Sequence, residues 1–354
     1  MAYEVTIGIP VYNAGEHLHD TMVTALAQDY PSIEYLILDD CGTDASIDII
    51  HQLQQNHSRG KDIRIVKQEF NKGIGAARNR ILKEAHGKFL YFLDADDLMV
   101  PTTISLMVSV AKKYHAEAVF ASYERVELYH QASQKVLYKL PNKVFTKQHE
   151  IAIYAFSQYA PLQANIWNVL MDMEIIRKNH LQFVNTNYWE DMTFKYDFVT
   201  YLTRVVLLPD VTYSYMCREN SLSNFQSRDK IEKDEILRNV ATMNILKCRY
   251  KKLLWRPYFS DWLKFIMDTD YYIIRDVLLK RDKIQPWISN VELRNILYSP
   301  LSVAQTLRHG NVRCCLYKLL SLLPPNLFVG SIKLFTKVLY HPLITNIIKK
   351  IPIK

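Results

Sequence analysis

The chain has 354 residues, 49% hydrophobic and 23% charged, which is the balance of a globular protein and excludes a disordered or fibrous one; the length calls for one large domain plus an appendage. The net charge of +8 sits at the end: Arg294, Arg308, Arg313, Lys318, Lys333, Lys337, Lys349, Lys350 and Lys354 follow Glu292 with no acid among them, so the body is slightly acidic and a nucleic-acid-binding core is excluded. Five scattered cysteines (Cys41, Cys217, Cys248, Cys314, Cys315) show neither metal-ligand nor disulfide-framework spacing, no signal peptide is read at the start, and no apolar run approaches the ~20 residues of a membrane span, so a cytoplasmic, reducing setting is expected.

Strand and helix patterns alternate through the first half. Residues 5–9 read as a strand, 16–28 as a helix, 35–38 as a strand ending in Asp39-Asp40, and the stretch to 54 as a helix capped by Thr43 or Asp44. A third strand at 63–66, a helix at 75–86, a fourth strand at 89–93 and a helix at 102–114 follow. This order predicts a mostly parallel, doubly wound α/β sheet that binds ligands at the carboxyl ends of its strands. Residues 118–139 read as short tyrosine-rich strands, with helices near 148–158, 172–179 and 189–202 and closing strands at 207–209 and 211–215. Beyond about residue 225 the chain is helical and basic, so the expected division is 1–225 and 226–354.

The run Phe89-Leu90-Tyr91-Phe92-Leu93 ends in Asp94, Asp96 and Asp97. Carboxylates crowded at the end of a buried strand repel one another unless a cation neutralises them, and Mg²⁺ or Mn²⁺ favours carboxylates together with substrate phosphates. Asp94 and Asp96 are therefore candidate metal residues, with Asp96 the stronger ligand; Asp97 is either a third ligand or a cap. A plain acidic turn is the alternative. Three more pieces close strands or open helices: Pro10-Val11-Tyr12-Asn13, Asp39-Asp40-Cys41-Gly42-Thr43-Asp44 and Asn71-Lys72-Gly73-Ile74-Gly75-Ala76-Ala77-Arg78-Asn79. The Tyr12 ring can stack on a nucleobase, and Lys72 and Arg78 offer positive charge to a diphosphate.

These four pieces, in this order and spacing, resemble the family 2 glycosyltransferases of the bacterial cell-surface polysaccharide type over roughly residues 4–225. The resemblance implies a GT-A fold: a Rossmann-like, mostly parallel sheet flanked by helices, here with a helical C-terminal extension. It implies a UDP-sugar donor, with Asp40 accepting the uracil N3–H, Asp39 orienting the ribose or the loop, and Pro10, Tyr12, Lys72, Arg78 and Asp94 around the nucleotide sugar. A fifth piece, Tyr188-Trp189-Glu190-Asp191, then lies at the acceptor site: Asp191 as the catalytic base, Glu190 orienting it or holding acceptor hydroxyls, Trp189 facing a sugar ring. A sixth, around Arg218, reaches toward the diphosphate. The implied activity is metal-dependent, inverting hexosyl or N-acetylhexosaminyl transfer, with Mn²⁺ or Mg²⁺, to a hydroxyl of a saccharide or lipid-linked saccharide.

Two departures stand out. The family usually shows Asp-Asp-Gly-Ser after the second strand, whereas here Cys41 precedes Gly42; and Gly8 replaces an apolar residue in the first strand. The tail places Ile332, Phe335 and Leu339 at helical spacing beside Lys333 and Lys337, followed by Ile347, Ile348 and Ile351 around Lys349 and Lys350. This suits an anionic membrane surface, and hence a peripheral location at the inner face of a plasma membrane; a helix packed on the first domain is the alternative. Two other functions were weighed against transfer: a nucleotidyltransferase, disfavoured because no Gly-rich loop follows the first strand, and a catalytically inactive assembly scaffold, disfavoured by the intact acids.

Overall fold

Every residue of β1 (Val5–Val11) is buried, as is every residue of β2 (Ile33–Asp39), which accounts for their near-continuous apolar sequence: both faces of these strands are covered. The structure is a computed structural model that describes residues 3–129, 132–157, 162–186, 189–217 and 230–339. The chain forms two compact units, Met1–Asn224 and Phe225–Lys354.

In the first unit the strands alternate with helices α1 (Gly15–Leu26), α2 (Ser46–Asn56), α3 (Ile74–Glu84) and α4 (Thr103–Tyr114), and β3 (Ile63–Lys67) and β4 (Phe89–Phe92) complete a parallel set ordered β3-β2-β1-β4. Gly8 has a packing reason: a Cβ there would stand 2.5 Å from Ile81 Cγ2, so its absence lets α3 lie close against β1.

Beyond β4 the sheet turns mixed. After β5 (Leu98–Met99) come β6 (Ala118–Tyr129), β7 (Ala132–Tyr138), β8 (Lys143–Phe145), α5 (Glu150–Ser157), β9 (Val169–Asp172), α6 (Met173–Lys178), α7 (Glu190–Phe198) and β10 (Val205–Cys217). β9 pairs antiparallel with both β4 and β6, while β10 runs parallel to β6. β10 is one strand where two were expected. Its register on β6 shifts between Leu208 and Val211, and this irregularity takes up Pro209, which has no N–H for a ladder. The sheet order continues β4-β9-β6-β10-β5, so the ends of β4 and β10 and the start of α7 converge on one rim.

The second unit is helical: α8 (Lys233–Cys248), α9 (Tyr250–Leu253), α10 (Phe259–Leu279), α11 (Asn290–Ile296), α12 (Val303–His309), α13 (Val312–Ser321) and α14 (Pro325–Leu339), with a small parallel pair formed by residues 231–232 and 284–285. Its core holds Trp262, Ile266, Tyr271, Ile274, Phe328 and Ile332. Among the described residues, no helix is long and apolar enough to cross a membrane. Of the expected amphipathic tail, Ile332 packs inward, Phe335 meets Tyr271 and Tyr317 edge-on, and Leu334 is exposed between Lys333 and Lys337; residues 347–351 lie outside the described residues.

Candidate functional site

The site grows from the strand ends of the first unit. Past β1, Asn13 takes a left-handed backbone and its side chain accepts the Thr43 N–H at 2.7 Å, tying the first rim loop to the second. Tyr12 beside it is half exposed, with its ring clear of the core. Pro10 is buried within β1 opposite Leu38, so the expectation that it lines a ligand surface is corrected: it shapes the rim through the backbone. Asp44 accepts from the N–H groups of Gly15 (2.8 Å) and Ser46 (3.1 Å) and from the Ser46 hydroxyl (2.6 Å), joining the starts of α1 and α2; burial raises its pKa, but these bonds together hold it below the ordinary carboxylate value.

Past β2, Asp39 and Asp40 are both buried. Asp39 accepts the Cys41 N–H at 2.9 Å. Asp40 gathers the loop ahead of α3: its Oδ1 accepts from Gln68 Nε2 (2.5 Å) and Lys72 N–H (2.9 Å), and its Oδ2 from Gly73 N–H (3.0 Å). A carboxylate oxygen accepts two bonds, so Oδ2 retains one acceptor position. Lys72 Nζ lies over the exposed Phe70 ring, 3.2 Å from the exposed Glu69.

At the centre stands Arg78, on the second turn of α3 and 4% exposed. Its guanidinium donates to Asp94 Oδ1 at 2.9 Å and to Glu190 Oε1, 112 residues away in sequence, at 2.5 Å, joining the end of β4 to the start of α7. The ring faces of Phe92 and Phe183 flank it. The expectation that Arg78 supplies positive charge for a diphosphate meets a guanidinium already bonded to two carboxylates, with its buried Nε left without a hydrogen-bond partner among the described residues. Burial alone would lower its pKa, but Asp94, Glu190 and Asp191 together raise it.

One cation therefore faces three carboxylates. Burial lifts Glu190 to about 7, with Arg78 opposing and Asp191 adding to the lift. Burial also raises Asp191, again opposed by Arg78. Asp191 Oδ1 accepts its neighbouring Met192 N–H at 2.7 Å, and Trp189, half-buried, opens the helix with a left-handed backbone (φ 56°). Non-glycine residues in that region carry strain and gather at functional rims; here Asn13, Cys41 and Trp189 all do so.

The acidic cluster divides. Asp97 is 1% exposed; its carboxylate accepts from Tyr213 OH at 2.6 Å and from Met216 N–H at 2.8 Å. The third-ligand expectation is thus corrected: Asp97 caps the cluster onto β10. Burial raises its pKa strongly, and the charges of Asp96 and Asp94 raise it further, which shows that the three carboxyl groups converge. Asp94 and Asp96, only partly buried, remain as two hard oxygen donors. No group of three His, Cys, Asp or Glu among the described residues forms a metal cage. Two carboxylates suit an ion such as Mg²⁺ or Mn²⁺ that takes its other oxygens from phosphates and water. Arg218 lies outside the described residues.

Residues 6–160 match the family model described as Glycosyl transferase family 2. Over those residues the chain is similar to glycosyltransferase family 2. The match spans β1 through α5, so Arg78 and Asp94 lie inside it and α7 beyond it. The cholesterol galactosyltransferase of Borreliella burgdorferi is 25% identical over 77% of this chain and 76% of that protein. The UDP-Glc:alpha-D-GlcNAc-diphosphoundecaprenol beta-1,3-glucosyltransferase WfaP of Escherichia coli is 40% identical over 34% of this chain and 44% of that protein. Among solved structures, S. aureus TarS 1-349 in complex with UDP-GlcNAc superposes with a TM-score of 0.54 at 15% identity, covering 86% of this chain and 89% of that one. That likeness establishes a GT-A-like fold, and with it the α/β architecture read from the sequence.

Two features of the site carried no sequence signal. The Arg78 bridge joins residues whose neighbours in sequence give no hint of each other. Lys195, one turn beyond Asp191, is 2% exposed, and its ammonium donates to the Asn165 carbonyl at 2.9 Å. A lysine in a helical pattern reads as a solvated residue.

Proposed function

We propose that this protein is a glycosyltransferase that moves a sugar from a UDP-sugar to a hydroxyl of a saccharide, lipid-linked at the membrane, in the synthesis of a cell-surface glycan. The observation that carries this reading is the Arg78 bridge, which draws Asp94, a donor-side acid, and the Glu190–Asp191 pair into one cluster. The names of the relatives support a UDP-sugar and a lipid-linked saccharide.

On the donor side the exposed Tyr12 ring stacks on the uracil, and Asp40 Oδ2 has an acceptor position for the base N3–H. Lys72 is released from an exposed, weak ion pair to meet the diphosphate. Asp94 and Asp96 are the residues that hold a divalent cation, which supplies charge stabilisation to the leaving diphosphate. On the acceptor side Asp191 takes the proton of the attacking hydroxyl. Its raised pKa makes it a better base than an ordinary aspartate, with Arg78 opposing the lift that burial imposes. Glu190 is pinned by Arg78 and fixes the first turn of α7, so Asp191 is held in place. A single displacement at the anomeric carbon inverts it.

The test is a donor panel with the purified chain and Mn²⁺ or Mg²⁺, reading UDP release and product anomeric configuration by NMR. Metal-dependent UDP release that Asp96→Ala abolishes, with an inverted product, supports the reading; inactivity with every donor, together with no UDP binding by calorimetry, overturns it. The basic end of the chain is proposed to rest on an anionic membrane. Co-sedimentation with vesicles rich in anionic lipid, and none with neutral vesicles, is the expected result.

A further inference from the structure

The mechanism above leaves one buried charge unused. Lys195 sits on the inner face of α7, and no carboxylate of the described residues stands within ion-pair distance of its ammonium. Its contacts are the Asn165 carbonyl and the Phe120 ring, whose centroid lies 5.1 Å away. A buried ammonium with one carbonyl partner is expensive to keep charged, and proteins normally supply a counter-ion. The nearest acid acting on it is Asp191, one turn earlier, and that attraction does not offset burial: the lysine is pulled down to about 7.

Lys195 also lines a cavity of about 90 Å³. One water needs roughly 10–15 Å³ of such space, so there is room for a substituent. The other walls carry the chemistry of a saccharide site. Tyr123 and Tyr138 stack with ring centroids 4.7 Å apart, and the amides of Gln163, Asn165 and Asn168 stand around the opening. Most of these polar groups are already committed: Gln163 accepts from Tyr123 OH, and Asn168 bonds the Ala121 and Ser122 carbonyls while accepting from Thr212 and Tyr91. Gln163 Nε2, the second Asn165 Nδ2 hydrogen and the exposed Lys139 can still donate, and Lys195 is the buried cation among the donors of this cavity.

The position separates this cavity from the donor side. Its walls come from β6, the end of β7 and the residues after it, the segment 162–168, the start of β9 and α7, whereas Tyr12, Asp40 and Lys72 follow β1, β2 and β3; β4 and β9 lie between β1 and β6 in the sheet. It adjoins the helix that carries Asp191, where an acceptor must approach. We propose that this cavity is an acceptor subsite for an anionic group, in which Lys195 is the counter-ion to a carboxylate or phosphate oxygen carried by the acceptor saccharide. This inference rests on the transferase reading and adds to it the charge of the acceptor.

The test uses the full chain with ¹⁵N-labelled lysine and follows the Lys195 amine by NMR, assigned by its loss in Lys195→Met. Glucuronate, inorganic phosphate and neutral glucose are titrated separately, and UDP binding is measured in parallel by calorimetry. The expected result is a Lys195 titration midpoint raised by a unit or more with one of the anions and unmoved by glucose. A glucuronate response assigns a uronate acceptor, and a phosphate response a phosphorylated one. Lys195→Arg retains anion binding, and Lys195→Met weakens it at least tenfold. A Lys195 signal that neither anion moves, in protein that still binds UDP, overturns the subsite and leaves the transferase reading standing. An anion response without UDP binding does the reverse.

Discussion

Both units bury charged groups, and they do so in opposite ways. In the helical unit the charges are matched. Lys247 Nζ stands 2.7 Å from Asp270, and Asp268 accepts from Tyr317 OH at 2.9 Å and faces Arg313 at 3.2 Å. In the sheet unit one cation, Arg78, faces Asp94, Glu190 and Asp191, and a second, Lys195, has no acid within ion-pair reach. The pairing ties helices together, although both Asp270 carboxylate oxygens lack a well-aligned hydrogen bond among the described residues and burial lifts the group to about 7. An unmatched set of charges is costly and gathers at functional sites, and here it lies beside the strand ends to which the proposed reaction is assigned.

The comparison is broken most sharply by neutralising one acid in each place. Asp191→Asn removes a charge from an overloaded cluster and takes away the proposed base. Turnover is expected to fall about 10²- to 10⁴-fold, with UDP affinity and melting temperature unchanged. Asp270→Asn removes the partner of a buried lysine and is expected to cost on the order of 3 kcal/mol in urea unfolding at pH 8, while turnover of the folded fraction stays intact. If Asp191→Asn were the destabilised variant and Asp270→Asn the inactive one, the contrast would be inverted.

The cluster can also be opened without touching a charge. A Cβ on Gly75 would stand 2.2 Å from the Val184 carbonyl oxygen and 2.9 Å from that of Thr186, in the segment that leads into α7. Backbone cannot yield as a flexible side chain does. Gly75→Ala is expected to push this segment off α3, lengthen the Arg78–Glu190 contact, cost about 1–3 kcal/mol and lower turnover. Turnover at the wild-type level with the full stability loss would detach the bridge from catalysis.

Titration sharpens the contrast further. Glu190 goes from an ordinary 4.5 to about 7 on folding, so the folded state holds its proton more tightly than the unfolded chain. Its contribution to stability therefore falls as pH rises from about 4.5 to 7, and Asp270, also lifted to about 7 by burial, slopes the same way. Lys195 goes from 10.5 down to about 7, so the folded state binds fewer protons and stability rises with pH across that window. Urea midpoints against pH are expected to flatten below 7 in Glu190→Gln and above 7 in Lys195→Met.

How much of this was readable in advance follows from how local each signal is. The alternation from β1 to β4 was legible because apolar runs and helical spacing are properties of a few neighbouring residues, and the rim acids were legible because they stand where strands end. The antiparallel entry of β9, the continuity of β10 through Pro209 and the burial of Arg78 were not. Each depends on partners far away in sequence: β9 on β4, β10 on β6, Arg78 on Glu190. Asp97 shows the same boundary. Its membership of an acidic cluster was visible, but its commitment to Tyr213 and Met216 needed the strand that arrives more than a hundred residues later.

The smallest expected effect lies at Cys41, where the sequence departs from the pattern of the family that it resembles. Cys41 holds φ 60°, the left-handed region that glycine takes without penalty, and the glycine that follows it is required elsewhere: a Cβ on Gly42 would stand 2.9 Å from the Asn13 N–H nitrogen. The loop thus needs small backbone at two successive positions and has glycine at one. An L-residue in this region costs roughly 1–2 kcal/mol. Against that, Cys41 Sγ bonds the Gln68 carbonyl at 3.0 Å, which helps hold the loop that Asp40 gathers. Thiols are weak donors and glycine adds entropy to the unfolded chain, so Cys41→Gly is expected to gain less than about 1 kcal/mol. A loss of stability with weakened UDP binding would mean that the thiol anchor, and not the backbone strain, governs this rim.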